Sequence, residues 1–210
     1  MPKVLDLFCG AGGASMGYHK AGFEVTGVDL KHGKRYPFQY LRWDVMQMSV
    51  QELQQYDFIH ASPPCQTYSI TRNLRIAQGK QSNKLDLIEP VREMLIASGK
   101  PYVIENVMGA PLRNAITLCG SAFGLKVRRH RLFESNLSLI GTQCDHKTQG
   151  RPVGIYGSMK DEIPGGGRTA HSMDEAKAAM GIDWMIWSEL VEAIPPAYTH
   201  YLGKQIKELL

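Results

Sequence analysis

Strand-length apolar runs alternate with helical spacing through the first 135 residues, and most of the runs end on a residue able to do chemistry. Val4–Phe8 leads straight into the glycine-rich turn Cys9-Gly10-Ala11-Gly12-Gly13. Val25–Asp29 ends in an acid, and Arg42–Val45 closes a third run. Phe58–Ala61 passes into Ser62-Pro63-Pro64-Cys65-Gln66, Tyr102–Glu105 ends in another acid, and Arg131–Glu134 is a later strand. Between the fourth and fifth runs, Leu85, Ile88, Val91, Met94 and Leu95 recur at helical spacing, with Pro90 marking a kink or a first turn. This order predicts an α/β domain with a mostly parallel central sheet. Ligands in such sheets bind outside the carboxyl ends of the strands, so those ends are where function is sought.

Composition narrows the class. A chain of 210 residues, 43% hydrophobic and 21% charged, is one domain or two small ones. Disordered, collagen-like and disulfide-miniprotein chains are excluded. No run of about 18 apolar residues predicts a membrane span. Met1-Pro2-Lys3 enters a strand at once, so no signal peptide is expected. Cys9, Cys65, Cys119 and Cys144 lie far apart, and reduced thiols in a cytoplasmic protein are expected. A net charge of +4 suits a polyanion without requiring one. Composition changes at Gly141: seven glycines fall between there and Ser172, with Pro152 and Pro164. That stretch reads as a hairpin around Val153–Tyr156 or a substrate-contacting insertion. Helices are expected over Met173–Met180, Trp187–Ala193 and Tyr198–Leu210.

The strand ends carry the chemistry. The glycines permit close approach of a ligand, and the following helix start favours anionic groups. Ser15 stands where G-x-G-x-x-G needs its third glycine, which disfavours a nicotinamide dinucleotide. Asp29 is placed to accept ribose hydroxyls and Asp44 to accept an adenine amine, although either acid could as well cap a helix or turn. Pro63-Pro64 is a rigid mount for the Cys65 thiol, a candidate nucleophile. Glu105, forty residues after Cys65 with one helix between, suits a neighbouring parallel strand facing the same cleft; the plain alternative is a carboxylate paired with Arg129 or Arg131. In a strand Arg129 and Arg131 share a side, where they suit a phosphate or a carbonyl oxygen. Residues 66–84 read as a mobile loop whose Arg72, Arg75, Lys80 and Lys84 suit a nucleic-acid backbone. Cys144-x-His146 supplies two metal ligands where Zn²⁺ sites take four, so no metal is expected there. Trp184 and Trp187 read as core.

Together these residues resemble the cytosine-C5 DNA methyltransferase family. Asp6–Gly13 resembles its first motif, Pro64-Cys65-Gln66 its catalytic motif, Glu105-Asn106-Val107 its glutamate motif and Arg129-x-Arg131 its paired-arginine motif. The resemblance implies a Rossmann-like S-adenosylmethionine-dependent fold with helices on both sheet faces. The implied catalytic domain is 1–135 and 173–210, with 136–172 a reduced target-recognition insertion. It implies double-stranded DNA as substrate, a flipped cytosine, and S-adenosyl-L-methionine as cofactor. Cys65 would attack C6, Glu105 would hold and protonate N3, and Arg131 with Arg129 would bind the base carbonyl and order Glu105. Phe8, Gly10, Gly12, Gly13, Asp29, Asp44 and Pro64 would form the cofactor site. Gln66, Ser69, Asn106, Arg72 and Arg75 would contact substrate. Two positions depart from the pattern: Val127 stands in place of a glutamine, and Val191-Glu192 in place of a Gly-Asn pair. The short insertion implies a short target sequence, low sequence specificity, or a partner protein that supplies it. RNA or a free cytosine nucleotide is the alternative substrate, and a non-catalytic accessory role the alternative class.

Overall fold

The computed structural model describes residues 1–31, 33–64, 86–157, 162–163 and 167–210. Cys65, Gln66, Ser69, Arg72, Arg75 and the rest of the basic 66–84 loop lie outside the described residues. In chain order the first elements are β1 (Lys3–Leu7), α1 (Gly13–Lys20), β2 (Glu24–Asp29), β3 (Gln39–Arg42), α2 (Val50–Leu53), β4 (Phe58–Ala61), α3 (Ile88–Ser98), β5 (Tyr102–Val107), β6 (Ile116–Leu118) and β7 (Arg131–Ser135). There follow α4 (His146–Gln149), β8 (Val153–Gly154), β9 (Glu162–Ile163), β10 (Gly167–Thr169), α5 (Met173–Met180), α6 (Trp187–Glu192) and α7 (Pro196–Leu209).

Among the described residues, the main sheet runs β3-β2-β1-β4-β5-β7-β6. Pairing is parallel from β3 to β5, and β7 lies antiparallel to both β5 and β6. The chain steps outward from β1 to β3 and then returns to β4 on the other side of β1. That reversal opens a crevice at the carboxyl ends of β1 and β4, where open α/β sheets bind ligands.

Period-2 alternation sorts the strand residues to two faces. Val4, Val25, Phe58 and Val103 pack with Tyr18 of α1 and Tyr198, Leu202 and Ile206 of α7. Leu5, Leu7, Ile59, Tyr102 and Ile104 pack with Leu53 of α2 and Val91 and Leu95 of α3. Helices therefore cover both faces, as the α/β reading requires. Pro90 sits in the first turn of α3, where its missing N–H loses no helical bond. The third strand ends at Arg42, two residues short of Asp44, because Asp44 turns to cap the 3₁₀ turn Val45–Gln47. Among the described residues, the hairpin expected around Val153–Tyr156 is not formed. β8 pairs in parallel with β10, while Val153 and Ile155 join Ala176, Ala179, Met180 and Leu190 in a third cluster.

One buried ion pair ties α3 to β7. Arg92 holds Glu134 with two hydrogen bonds, of 2.7 and 2.8 Å, and also donates to the Pro111 carbonyl at 2.9 Å. Arg92→Met leaves the Glu134 carboxylate buried with its charged partner gone and the Arg113 amide, at 2.7 Å, still donating to it. The expected loss is about 3–5 kcal/mol, read as a fall in thermal midpoint of roughly 6–20 °C. Arg92→Met with Glu134→Leu recovers most of it; equal losses in the single and double variants would contradict this account.

Candidate active site

The glycine turn after β1 is held by backbone conformation first. Phe8 has φ of 60°, Gly10 52° and Gly12 85°. The left-handed region is open to glycine but strained for phenylalanine, and such strain concentrates at functional sites. A Cβ on Gly13 would overlap the Ile194 carbonyl oxygen, so the start of α1 lies hard against the segment before α7. Trp184 donates to the Ala11 carbonyl at 2.8 Å, bringing the 184–194 segment onto the same turn. A Cβ on Gly10 would meet nothing within 4 Å, so that side of the turn is open.

Asp29 ends β2 beside the turn. Its carboxylate accepts from the Gly10 amide at 3.0 Å and the Lys31 amide at 3.1 Å. Two oxygens have about four acceptor sites, so capacity for ribose hydroxyls remains. Asp44 accepts from the Met46 amide at 3.0 Å through one oxygen. The cap reading therefore holds for Asp44, with the second oxygen left for an amine.

Asp6 belongs to this site, although its sequence signal is no more than its place in the first motif. It is fully buried and accepts from the Ser15 hydroxyl through one oxygen, while its other oxygen has no hydrogen-bond partner. Burial pushes its pKa up to about 7. An orphaned buried acceptor suits a ligand that brings a donor or a positive charge. Tyr36 backs the turn: its hydroxyl is 2.8 Å from Ser15 Oγ and its ring lies over Gly12 and Gly27.

β4 and β5 form the second half of the site. They are parallel neighbours with His60 opposite Val103 and Ala61 opposite Ile104, so Ser62 comes beside Glu105. Asn106 donates to the Pro63 carbonyl at 3.0 Å. Its amide thus braces the turn that delivers the exposed Pro64, the last described residue before Cys65. Glu105 is 6% exposed and pairs with Arg131, Nε to Oε1 at 3.1 Å. Burial raises its pKa, opposed by Arg131, the Ser62 hydrogen bond and Arg129.

A polar chain runs under Glu105. Tyr18 Oη lies 2.9 Å from His60 Nδ1, His60 Nε2 lies 2.9 Å from Ser62 Oγ, and Ser62 bonds Glu105. Burial pulls the His60 pKa down to about 3, so the ring is neutral and has one donor nitrogen and one acceptor. One assignment satisfies the whole chain: Tyr18 donates to Nδ1, Nε2–H donates to Ser62, and Ser62 donates to the carboxylate. The sequence signal was a histidine inside the apolar strand Phe58-Ile59-His60-Ala61, a polar residue at a core position.

The two arginines part company. β7 begins only at Arg131, and Arg129 has φ of 38°, so strand alternation does not place them on one side. Arg129 is 3% exposed and donates to the carbonyls of Ile155 at 3.4 Å, Leu190 at 3.2 Å and Val191. Burial, reinforced by Arg131, lowers its pKa to about 10. Among the described residues Arg131 is the ion-pair partner of Glu105, whereas Arg129 clamps the 153–156 segment and α6 and contributes its charge.

A family model described as C-5 cytosine-specific DNA methylase matches residues 2–114. Type II methyltransferase M.FnuDI of Fusobacterium nucleatum is 29% identical over 114 residues, covering 51% of this chain and 33% of that protein. The aligned stretch thus spans about a third of its length. Among solved structures, a chain assigned as a DNA modification methyltransferase encoded within an E. coli prophage matches with a TM-score of 0.69 and 14% identity, covering 100% of this chain and 99% of that one. Entamoeba histolytica methyltransferase EhMeth matches with a TM-score of 0.64 and 13% identity over 100% and 99% of the two chains. At those identities the likeness is one of fold, whereas the family match covers more than half the sequence and includes the glycine turn, Pro64-Cys65-Gln66 and Glu105-Asn106-Val107. The chain belongs to the C-5 cytosine-specific DNA methylase family.

Proposed function

We propose that the protein transfers a methyl group from S-adenosylmethionine to C5 of a cytosine flipped out of duplex DNA. The observation that carries this is Glu105: a buried carboxyl with a raised pKa, paired to Arg131, at the end of the strand beside the one that exits into Pro63-Pro64 and Cys65.

The residues of the first half-site fit the cofactor. Asp29 would hold the ribose, Asp44 the adenine amine and Phe8 the adenine face, with Gly10, Gly12 and Gly13 giving backbone access and Pro64 closing the side nearest the thiol. The unpartnered oxygen of Asp6 matches a ligand with an ammonium and a sulfonium. When bound, S-adenosylmethionine supplies an electrophilic methyl group. Asp29→Ala is expected to weaken cofactor binding roughly ten- to a hundredfold, the scale of a lost charge-assisted pair of hydrogen bonds. Calorimetric titration reads it; an unchanged Kd with the fold intact removes Asp29 from the pocket.

The chain's own chemistry runs through the base. The Cys65 thiolate adds to C6, forming a C–S bond and pushing the C5=C6 electrons toward the ring. Glu105 gives its proton to N3, which quenches the charge that would otherwise build there, and Arg131 holds the base carbonyl. C5 is then nucleophilic. After methylation, N3 returns its proton to Glu105, the C5 proton passes to water, and its C–H electrons expel Cys65 as thiolate, restoring the C5=C6 bond and the aromatic ring. Asn106 acts by fixing the Pro63-Pro64 mount. Gln66, Ser69, Arg72 and Arg75 would meet the base and the phosphates around it.

Residues 136–172 serve as a reduced recognition insertion, so few side chains reach base edges and the target is short or a partner protein adds specificity. The test is labelled methyl transfer to duplex DNA, single-stranded DNA and RNA, with digestion to identify the base. 5-Methylcytosine in duplex DNA supports the reading. Transfer confined to RNA or free nucleotide, or none by protein that binds the cofactor, overturns it.

A further inference from the structure

Four side chains unused by this chemistry converge at the far end of the sheet. Cys119 follows β6, His130 immediately precedes β7, and Cys144 and His146 flank the start of α4. Their ligand atoms, two sulfurs and two ring nitrogens, all lie within 4.8 Å of one another. Cys119 Sγ is 3.3 Å from His146 Nε2, and Cys144 Sγ is 3.3 Å from His130 Nε2. The two imidazoles meet edge-on, with ring centroids 5.2 Å apart.

We propose that Cys119, His130, Cys144 and His146 bind one Zn²⁺ ion in a structural Cys₂His₂ centre. Two separate thiol–imidazole hydrogen bonds would need only close pairs; they would not need all four atoms gathered about one point. A tetrahedron with Zn–S of about 2.3 Å and Zn–N of about 2.0–2.1 Å sets S···N near 3.6 Å, N···N near 3.4 Å and S···S near 3.8 Å. The two 3.3 Å sulfur–nitrogen contacts lie within tenths of an ångström of that value, and since no pair exceeds 4.8 Å the longest must close by about 1 Å, within reach of side-chain rotation. Two thiolates and two neutral imidazoles form the ligand set that selects Zn²⁺ over the hard oxygen-seeking ions, and both thiol protons leave to solvent on binding. Sequence spacing concealed this: Cys144-x-His146 is local, but Cys119 and His130 arrive only through the β6–β7 pairing.

A second observation gives the ion a task. No residue from 136 to 150 is buried, so this segment has no core of its own. Leu137 and Leu139 pack against the main core, while the stretch that carries Cys144 and His146 is held by polar contacts, including Gln149 to the Leu125 and Val127 carbonyls at 2.9 Å and the Asp145 amide to Ser121 Oγ at 3.0 Å. Segments too small to bury apolar surface are commonly stapled by a metal or a disulfide. Here the staple would also fix His130, the residue between Arg129 and the Glu105 partner Arg131. The ion therefore sets the path of the arginine segment while lying outside the reaction.

The test uses the full chain. Zinc content by elemental analysis is expected at about one ion per chain in wild type and in the exposed control His19→Gln, and near zero in Cys144→Ser and His146→Gln. Removal by a chelator should lower the thermal midpoint by at least about 5 °C. Refilling with Co²⁺ should give the visible bands of a tetrahedral site and a thiolate charge-transfer band, both missing from Cys144→Ser. Circular dichroism checks that the variants are folded, and the wild-type Co²⁺ spectrum decides the matter even if they are not. Wild-type protein that holds no zinc and gives no Co²⁺ spectrum overturns the proposal. So does unchanged zinc in both folded variants, or a mass lower by two hydrogens that maps to a Cys119–Cys144 disulfide.

Discussion

Cys65→Ala is expected to lower kcat for methyl transfer by at least about 10⁴-fold, the scale on which removal of a nucleophile disables a catalytic unit. C5 of cytosine is a poor nucleophile because the ring is aromatic and electron-poor. Addition at C6 breaks that aromaticity, and alanine has no atom that can form the C–S bond. Apart from Asp44 and Pro64, the proposed cofactor residues sit at the ends of β1 and β2 and on the turn between β1 and α1, not on the exit from β4 that leads to Cys65. Cofactor affinity in Cys65→Ala should therefore stay within about threefold of wild type, less than the tenfold that 1.4 kcal/mol makes. The covalent step has its own readout. A duplex with 5-fluorocytosine has no C5 proton to give up, so the adduct should persist through denaturing electrophoresis in wild type and be absent in the variant. A Cys65→Ala protein that keeps more than about a hundredth of wild-type activity would mean that catalysis rests on acid–base assistance alone, whose usual worth is 10²–10⁴-fold.

What was legible in the sequence followed from local rules. The apolar runs at 4–8, 25–29, 58–61 and 102–105 became parallel strands because both faces of that sheet are covered, which removes the need for polar alternation. Glu105 could be set on the strand beside the Cys65 mount from the helix-length gap between them. The misreadings came where a nonlocal partner decides. Arg129 has the local pattern of a strand residue, but its positive φ and three backbone acceptors follow from the packing of Ile155, Leu190 and Val191, which lie 26 to 62 residues away. Val153–Tyr156 has the turn chemistry of a hairpin, yet it pairs with β10 because Val153 and Ile155 bury against α5 and α6. The polar chain from Tyr18 to Glu105 joins residues of α1, β4 and β5, and no sequence spacing encodes it. His60 alone left a trace, as a polar residue in an apolar strand.

Glu105→Gln is expected to lower kcat by roughly 10²–10⁴-fold, with a much smaller change in KM for DNA. The amide keeps the size and hydrogen-bonding reach of the carboxyl but has no proton to deliver to N3. The pH dependence separates these roles. Burial raises the Glu105 pKa, while Arg131, Ser62 and Arg129 draw it back down. The active form in this step is the neutral acid, so the wild-type rate should fall as pH rises through that raised pKa, and the Gln variant should lack this limb. Ser62→Ala tests the sign. The Ser62 hydrogen bond stabilises the carboxylate, so removing it raises the pKa further and moves the alkaline limb to higher pH. A purely structural role for Ser62 would lower the rate without moving the limb. His60→Phe should move the limb in the same direction as Ser62→Ala if the neutral imidazole orients that hydroxyl, because it removes the Nε2–H that leaves Ser62 free to donate to Glu105. A limb that stays fixed in Ser62→Ala, or persists in Glu105→Gln, would assign the titration to another group and take the proton-donor role away from Glu105.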